Sequence, residues 1–170
     1  MRRAVALAAL ACLGAAAPSS SPVNQLSGRY SQHFLNGMMD GASYRADNIV
    51  EIVPVDAHHA YARISLEFAN GHQCALTGVA KAEGKALIYH EPANGFANGN
   101  CRLHLTHEGA SLRIDDEGGS CSIYCGARGT LSGVPLPWRS RRPITYVSRL
   151  KASSEYANAT AAWHKTEDGR

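Results

Sequence analysis

The chain has 170 residues, of which 45% are hydrophobic and 18% charged, and its formal net charge at pH 7 is +3. This length fits one ordinary domain with its own hydrophobic core, so the fold need not depend wholly on cross-links. The small net charge and the aromatic content of 7% exclude the dense basic face with interleaved aromatic side chains that a nucleic-acid-binding protein needs.

The first segment, MRRAVALAALACLGAAAPSSSP, has the order of a secretory signal peptide: two arginines, an apolar run, then a polar segment with proline. The run is shorter than the roughly 20 residues of a membrane-spanning helix, so we expect no membrane span. We predict a signal peptide at residues 1–17, a flexible linker at 18–26, and a periplasmic or secreted protein. Lipid attachment at Cys12 is the alternative, and it also places the protein outside the cytoplasm.

Residues 27–134 show the period-two alternation of β-strands, most clearly in AYARISLEF at residues 60–68. One face of that strand carries Ala60, Ala62, Ile64, Leu66 and Phe68. The dipeptide Asn70–Gly71 then predicts a hairpin turn. About eight such strands, from GRYSQHF to GTLSGV, predict a mainly β fold, an antiparallel meander that forms a small barrel or sandwich.

Residues 135–170 form a basic tail with a net charge of +4, whereas residues 24–134 carry −3. The apolar residues Ile144, Val147, Leu150, Ala157 and Ala161 lie near helical spacing. They predict one amphipathic helix at about residues 144–164. We expect its apolar side to pack on the barrel; a partner-binding or membrane-surface helix is the alternative.

Four cysteines follow the predicted signal peptide: Cys74, Cys101, Cys121 and Cys125. An even number in an exported domain predicts disulfides. Cys74 and Cys101 both lie on apolar strand faces, which favours a bond between them and leaves Cys121 to pair with Cys125. A zinc site or a redox pair is the alternative. A lone C-x₃-C is a poor zinc motif and lacks the redox spacing, so we predict no metal and no cofactor.

The segment GGSCSIYCGARG at residues 118–129 provides the candidate binding residues Ser122, Tyr124 and Arg128. A cross-linked turn flanked by glycines loses little entropy on binding, and a guanidinium offers a rigid fork of donors to a carboxylate. The alternative is that Arg128 only covers the mouth of the barrel with its aliphatic stem.

The titratable residues do not suggest an enzyme. His104 and His107 are three apart in a strand and point to opposite faces. Asp115–Glu117 lacks the alternation of an EF-hand loop and predicts an acidic hairpin turn. A serine elbow of the form G-x-S-x-G is missing. We therefore predict no catalytic residues and a non-enzymatic protein.

The signal peptide, the early GRY, the internal cysteine pair and the late CGARGTLSG together resemble the periplasmic and membrane-bound lysozyme inhibitors of bacteria. The resemblance covers the general layout of residues 27–134. It implies a small barrel that blocks a muramidase with a loop. In the inhibitors that act on c-type lysozyme, a serine precedes the inhibitory arginine segment. Here Cys125 stands in its place, and the paired tryptophans that follow are absent.

These features lead us to expect an exported binding protein, possibly an inhibitor of a cell-wall hydrolase such as a muramidase. A lipocalin-like carrier of a small apolar ligand is the alternative, because an eight-stranded barrel can hold one small ligand.

Overall fold

The computed structural model describes residues 21–168, and the predicted signal peptide and Cys12 lie outside them. Eight antiparallel strands follow one another in chain order and form a nearly closed barrel. The strands are β1 (Gly28–Gly37), β2 (Ser43–Pro54), β3 (His59–Glu67), β4 (Gln73–Glu83), β5 (Ala86–His90), β6 (Arg102–Glu108), β7 (Ser111–Asp115) and β8 (Leu136–Pro137). The predicted mainly β meander is confirmed.

The barrel has two distinct ends. At the closed end, which holds the connections 55–58, 84–85 and 109–110, helix α1 (Pro22–Leu26) packs its buried Val23 and Leu26 into the core. The Ser21 hydroxyl caps α1 by accepting from the Val23 N–H at 3.3 Å. Residues 22–26 of the predicted flexible linker are therefore helical and packed on the barrel.

The opposite end carries the connections 38–42, 68–72 and 91–101 and the start of the segment 116–135. We call it the loop end. The predicted turn at Asn70–Gly71 lies here, and Asn70 adopts a φ of 61°.

The predicted core positions are confirmed. In β3, Ala60, Ala62, Ile64 and Leu66 are all buried, and Leu66 and Leu103 have no exposed surface. Tyr61, on the other face of β3, is also buried, because the C-terminal helix covers that part of the outer surface.

The predicted C-terminal helix is present, but it starts later and is broken into α2 (Val147–Lys151) and α3 (Ser154–Asp168). Ser153 separates the two and caps α3, because its hydroxyl accepts from the Tyr156 N–H at 3.2 Å. The Tyr156 ring lies 4.9 Å from the Tyr61 ring. Of the predicted apolar stripe, Ile144, Val147 and Leu150 pack on the barrel as expected. Ala157 and Ala161 are exposed, and α3 packs through Tyr156 and Ala159 instead. Among residues 21–168, no helix is long and apolar enough to cross a membrane.

All four predicted cysteines form disulfides, but the predicted pairing is wrong: Cys74 bonds to Cys125 and Cys101 to Cys121. β4 and β6 are not neighbours in the sheet, and at Cys74 the residue beside β4 on this side is Cys125, through an isolated antiparallel bridge. Cys101, which directly precedes β6, faces Cys121 instead, with 4.5 Å between the Cα atoms. The segment 121–125 therefore bonds to both of the cysteines that were predicted to pair with each other.

The last predicted strand, GTLSGV at residues 129–134, is not a strand. Both disulfides hold residues 121–125 at the loop end, so the chain must return along the barrel before it pairs. It pairs at Leu136, opposite Leu112, beyond the boundary predicted at residue 134. Nor is Asp115–Glu117 a hairpin turn. Asp115 ends β7, and the connection that begins at Asp116 reaches β8 only at Leu136.

Candidate functional site

The loop end carries all the large hydrophobic side chains that are exposed in the described part of the chain. Leu35 lies near the end of β1, and Met38 and Met39 lie between β1 and β2. Phe96 lies between β5 and β6, and Ile123 lies between β7 and β8. Met39 is 83% exposed and Leu35 is 72% exposed. Exposed apolar side chains that are grouped at one end of a protein, unlike single scattered ones, are typical of surfaces that bind a partner.

A disulfide anchors the loop-end segment around Ile123 at each of its two ends. The Cα atoms of Cys101 and Cys121 are 4.5 Å apart, and those of Cys74 and Cys125 are 4.0 Å apart. Between the two bonds, Ser122–Tyr124 forms one 3-10 turn. The turn is therefore fixed to β4 and to the start of β6, although the cysteines that flank it are not bonded to each other.

Tyr124 is held by a buried carboxylate. Its hydroxyl donates to Glu91, which also accepts from the Ala97 N–H at 2.8 Å and from the Gly99 N–H at 2.9 Å. Burial raises the pKa of Tyr124, and the hydrogen bond to Glu91 raises it further. The ring of the exposed Phe96 lies 5.9 Å from that of Tyr124. Glu91 thus connects the loop 91–101 to the disulfide-anchored turn.

The three predicted binding residues fall in different environments. Ser122 and Arg128 are exposed at the surface, and no residue of the described range 21–168 forms a salt bridge with Arg128. Tyr124 is only partly exposed, and its hydroxyl is engaged with Glu91. The structure brings all three to the loop end, with Tyr124 as an internal support.

A side groove of about 710 Å³ lies next to Tyr124. We call it the β4 groove. Its floor is the outer face of β3 and β4, including Arg63, Ala75 and Thr77, and one wall is α3 at Asn158 and Ala162. The opposite wall is formed by Tyr89, Tyr124 and residues 92–95. This volume falls within the range of ligand-binding pockets.

Sequence analysis missed a charged cluster on the outer face. Glu51 is 1% exposed and binds Arg63, whose Nε donates to Oε2 at 2.7 Å. Arg29 Nε lies 3.7 Å from the Glu51 Oε1, and the Tyr146 hydroxyl donates to the same oxygen. The glutamate in NIVEIVPV is the only local signal, because Tyr146 is 95 residues away in sequence. This cluster attaches the tail to the barrel.

The other titratable residues form separate pairs. His104 Nε2 lies 2.7 Å from Glu117 Oε1, and His59 contacts Asp56 at the closed end. Asp116 is buried and accepts from Ser132. Within residues 21–168, no group of three or more His, Cys, Asp or Glu side chains is arranged to hold a metal ion.

Comparison of the chain with protein-family models, with curated proteins and with solved structures gives no match. The features of the molecule that bear on its function are therefore the loop end and the β4 groove.

Proposed function

We propose that this protein is an exported, non-enzymatic binding protein that engages a protein partner through its loop end. The observation that carries the proposal is the location of the exposed large hydrophobic side chains, all of which, in the described residues, lie at this end. Aromatic residues and methionine are enriched in protein interfaces, and a few contacts near the centre, chiefly of aromatic and arginine side chains, dominate the binding energy.

The rigidity of the loop end supports the same function. Two disulfides fix the turn at Ser122–Tyr124, and Glu91 fixes the neighbouring loop. A surface that is ordered before binding loses less conformational entropy when the partner arrives. The disulfides also fit an oxidising compartment, which supports export.

The filling of the barrel favours a surface site over a ligand carried inside. Leu87, Leu103 and Leu105 are fully buried in the interior, and α1 covers the closed end. The large cavity lies at the side of the barrel, in the β4 groove.

The partner that we propose is a cell-wall hydrolase of the muramidase class. The resemblance to lysozyme inhibitors supports it, and so does Arg128, whose exposed guanidinium can pair with a carboxylate in an acidic cleft. The apolar groups around it would then bury against the rim of the cleft.

The test is inhibition of purified c-type lysozyme by the exported protein, by Arg128→Ala and by a control, Lys85→Ala, at the closed end. We expect inhibition by the wild type and by the control, and about a 30-fold loss for Arg128→Ala, the size of a hot-spot contact. If neither c-type lysozyme nor any of a panel of other muramidases is bound, the proposed partner class is wrong.

A further inference from the structure

The edge of β4 that faces β5 is unpaired over its middle part. β5 pairs with β4 only at Lys81–Glu83, and at the other end the Gly126 N–H donates to the Gln73 carbonyl at 2.8 Å. The two neighbours of β4 thus leave the stretch 75–79 without a strand on this side.

The direction of the main-chain groups follows from the alternation along a strand. The Gln73 carbonyl points away from β3, whereas the Ala82 N–H points towards it, to the carbonyl of His58 at 2.7 Å. The main-chain groups of Ala75 and Thr77 therefore point away from β3, into the gap. At the bridge between Cys74 and Cys125 the Ala75 N–H faces the Tyr124 carbonyl. No residue within 21–168 forms a hydrogen bond with the main-chain groups of Thr77 there.

The β4 groove lies over this unpaired edge, and Ala75 and Thr77 line it. An exposed row of N–H and C=O groups is a template for another extended backbone. The gap is closed at one end by the bridge between Cys74 and Cys125 and at the other by β5. From Ala75 to Val79 it spans only about 13 Å, which excludes a long through-going strand.

The groove also contains charges of both signs. Arg63 binds Glu51 through Nε and Nη2, and no group in residues 21–168 pairs with its Nη1. Glu155 lines the groove from the first turn of α3. A cation and an anion beside an open strand edge suit a short peptide with free termini.

We infer that the β4 groove binds a free peptide of about four residues in extended conformation, as a short strand on the edge of β4. The peptide carboxylate pairs with Arg63, and its small side chains pack against Ala75 and Ala162. This site shares Tyr124 and residues 92–95 with the loop end, but the inference does not depend on the proposed partner.

The test is an NMR titration of the full protein with tetraalanine as the free acid. We expect the amide proton of Thr77 to shift and, at saturation, to exchange with solvent at least about tenfold more slowly, because it gains a hydrogen-bond acceptor. Tetraalanine with a C-terminal carboxamide should bind about tenfold more weakly, since it lacks the charge that Arg63 pairs with.

Two tryptophan variants of α3 make the test specific. Ala162→Trp fills the groove and should abolish binding, whereas Ala161→Trp places the same ring on the exposed neighbour and should bind as the wild type does. Thermal unfolding of both variants checks that they are folded.

Three results would overturn the inference. These are unchanged exchange of the Thr77 amide at millimolar tetraalanine, equal affinity for the acid and the carboxamide, or undiminished binding by a folded Ala162→Trp variant. None of them measures inhibition of a muramidase or involves Arg128, so the two proposals fail or succeed separately.

Discussion

Glu91→Gln tests whether a buried carboxylate organises the loop end. Glu91 is 6% exposed, and it accepts from the Ala97 N–H through Oε1 and from the Gly99 N–H through Oε2. Glutamine keeps the shape but offers only one acceptor oxygen. If that oxygen stays with Ala97 and Tyr124, the new NH₂ group faces the Gly99 N–H, and two donors meet.

The magnitude follows from these contacts. A donor left unsatisfied in a buried position costs about 1–3 kcal/mol, and the remaining hydrogen bonds weaken when the charge is lost. Removing the desolvation penalty of the carboxylate offsets part of this loss. We therefore expect Glu91→Gln to lower the free energy of unfolding by about 1–3 kcal/mol.

The assay is urea unfolding combined with hydrogen exchange of the loop 91–101. Tyr124→Phe is the matched control: it removes one of the three hydrogen bonds and keeps the carboxylate, so its loss should be about 1 kcal/mol. Both variants should speed exchange at the Ala97 and Gly99 amides, and Glu91→Gln should do so more. A loss below about 0.5 kcal/mol for Glu91→Gln, the range of surface substitutions, would refute the reasoning.

Of four further predictions, two concern the cross-links, one the core and one the tyrosines. Peptide mapping without reduction should recover Cys74 linked to Cys125 and Cys101 linked to Cys121, and no free thiol among these four; recovery of any other pair would contradict the structure. Replacing the pair that closes the longer loop, Cys74 and Cys125 with a separation of 51, should cost about 4 kcal/mol, against about 3 kcal/mol for the pair with a separation of 20. Leu66→Ala should cost about 2–5 kcal/mol in urea unfolding, because the side chain has no exposed surface. Burial raises the pKa of three tyrosines from 10.0 to about 12 in the folded protein, namely Tyr30, Tyr61 and Tyr89. The contribution of these neutral tyrosines to the free energy of unfolding is complete below pH 10.0 and is lost as the pH rises towards about 12. Tyrosinate absorbance from these residues should therefore appear together with unfolding. Titration of all tyrosines at pH 10.0 in a folded protein would refute this.

The alternation of apolar and polar residues predicted most of the barrel, because a strand with one buried face must alternate apolar side chains with polar ones. The face from Ala60 to Leu66 and the turn at Asn70–Gly71 are both found in the structure. The pairing of the cysteines could not be predicted from faces alone. It depends on the path of the segment 121–125, which returns beside β4 at Cys74 and also bonds to Cys101.

The candidate site could be predicted only in part for a similar reason. Local sequence indicated that residues 121–128 form a constrained loop, and Ser122 and Arg128 do lie at its surface. The role of Tyr124 depends on Glu91, which is 33 residues away. The contact of Tyr146 with Glu51 joins residues 95 apart. Long-range polar contacts leave no periodic signal in a single sequence.

The most direct test of the central claim compares the binding of one partner by variants at the two ends of the barrel. Met39→Asp and Phe96→Asp place a charge among the exposed apolar residues of the loop end, whereas Ala57→Asp places the same charge on an exposed hairpin at the closed end. The measurement is the dissociation constant of the complex that each of the three folded variants forms with the muramidase that the wild type inhibits. We expect the dissociation constant to rise at least about tenfold for each loop-end variant and to keep its wild-type value for Ala57→Asp. Wild-type affinity in both loop-end variants, or loss of binding in Ala57→Asp alone, would contradict it.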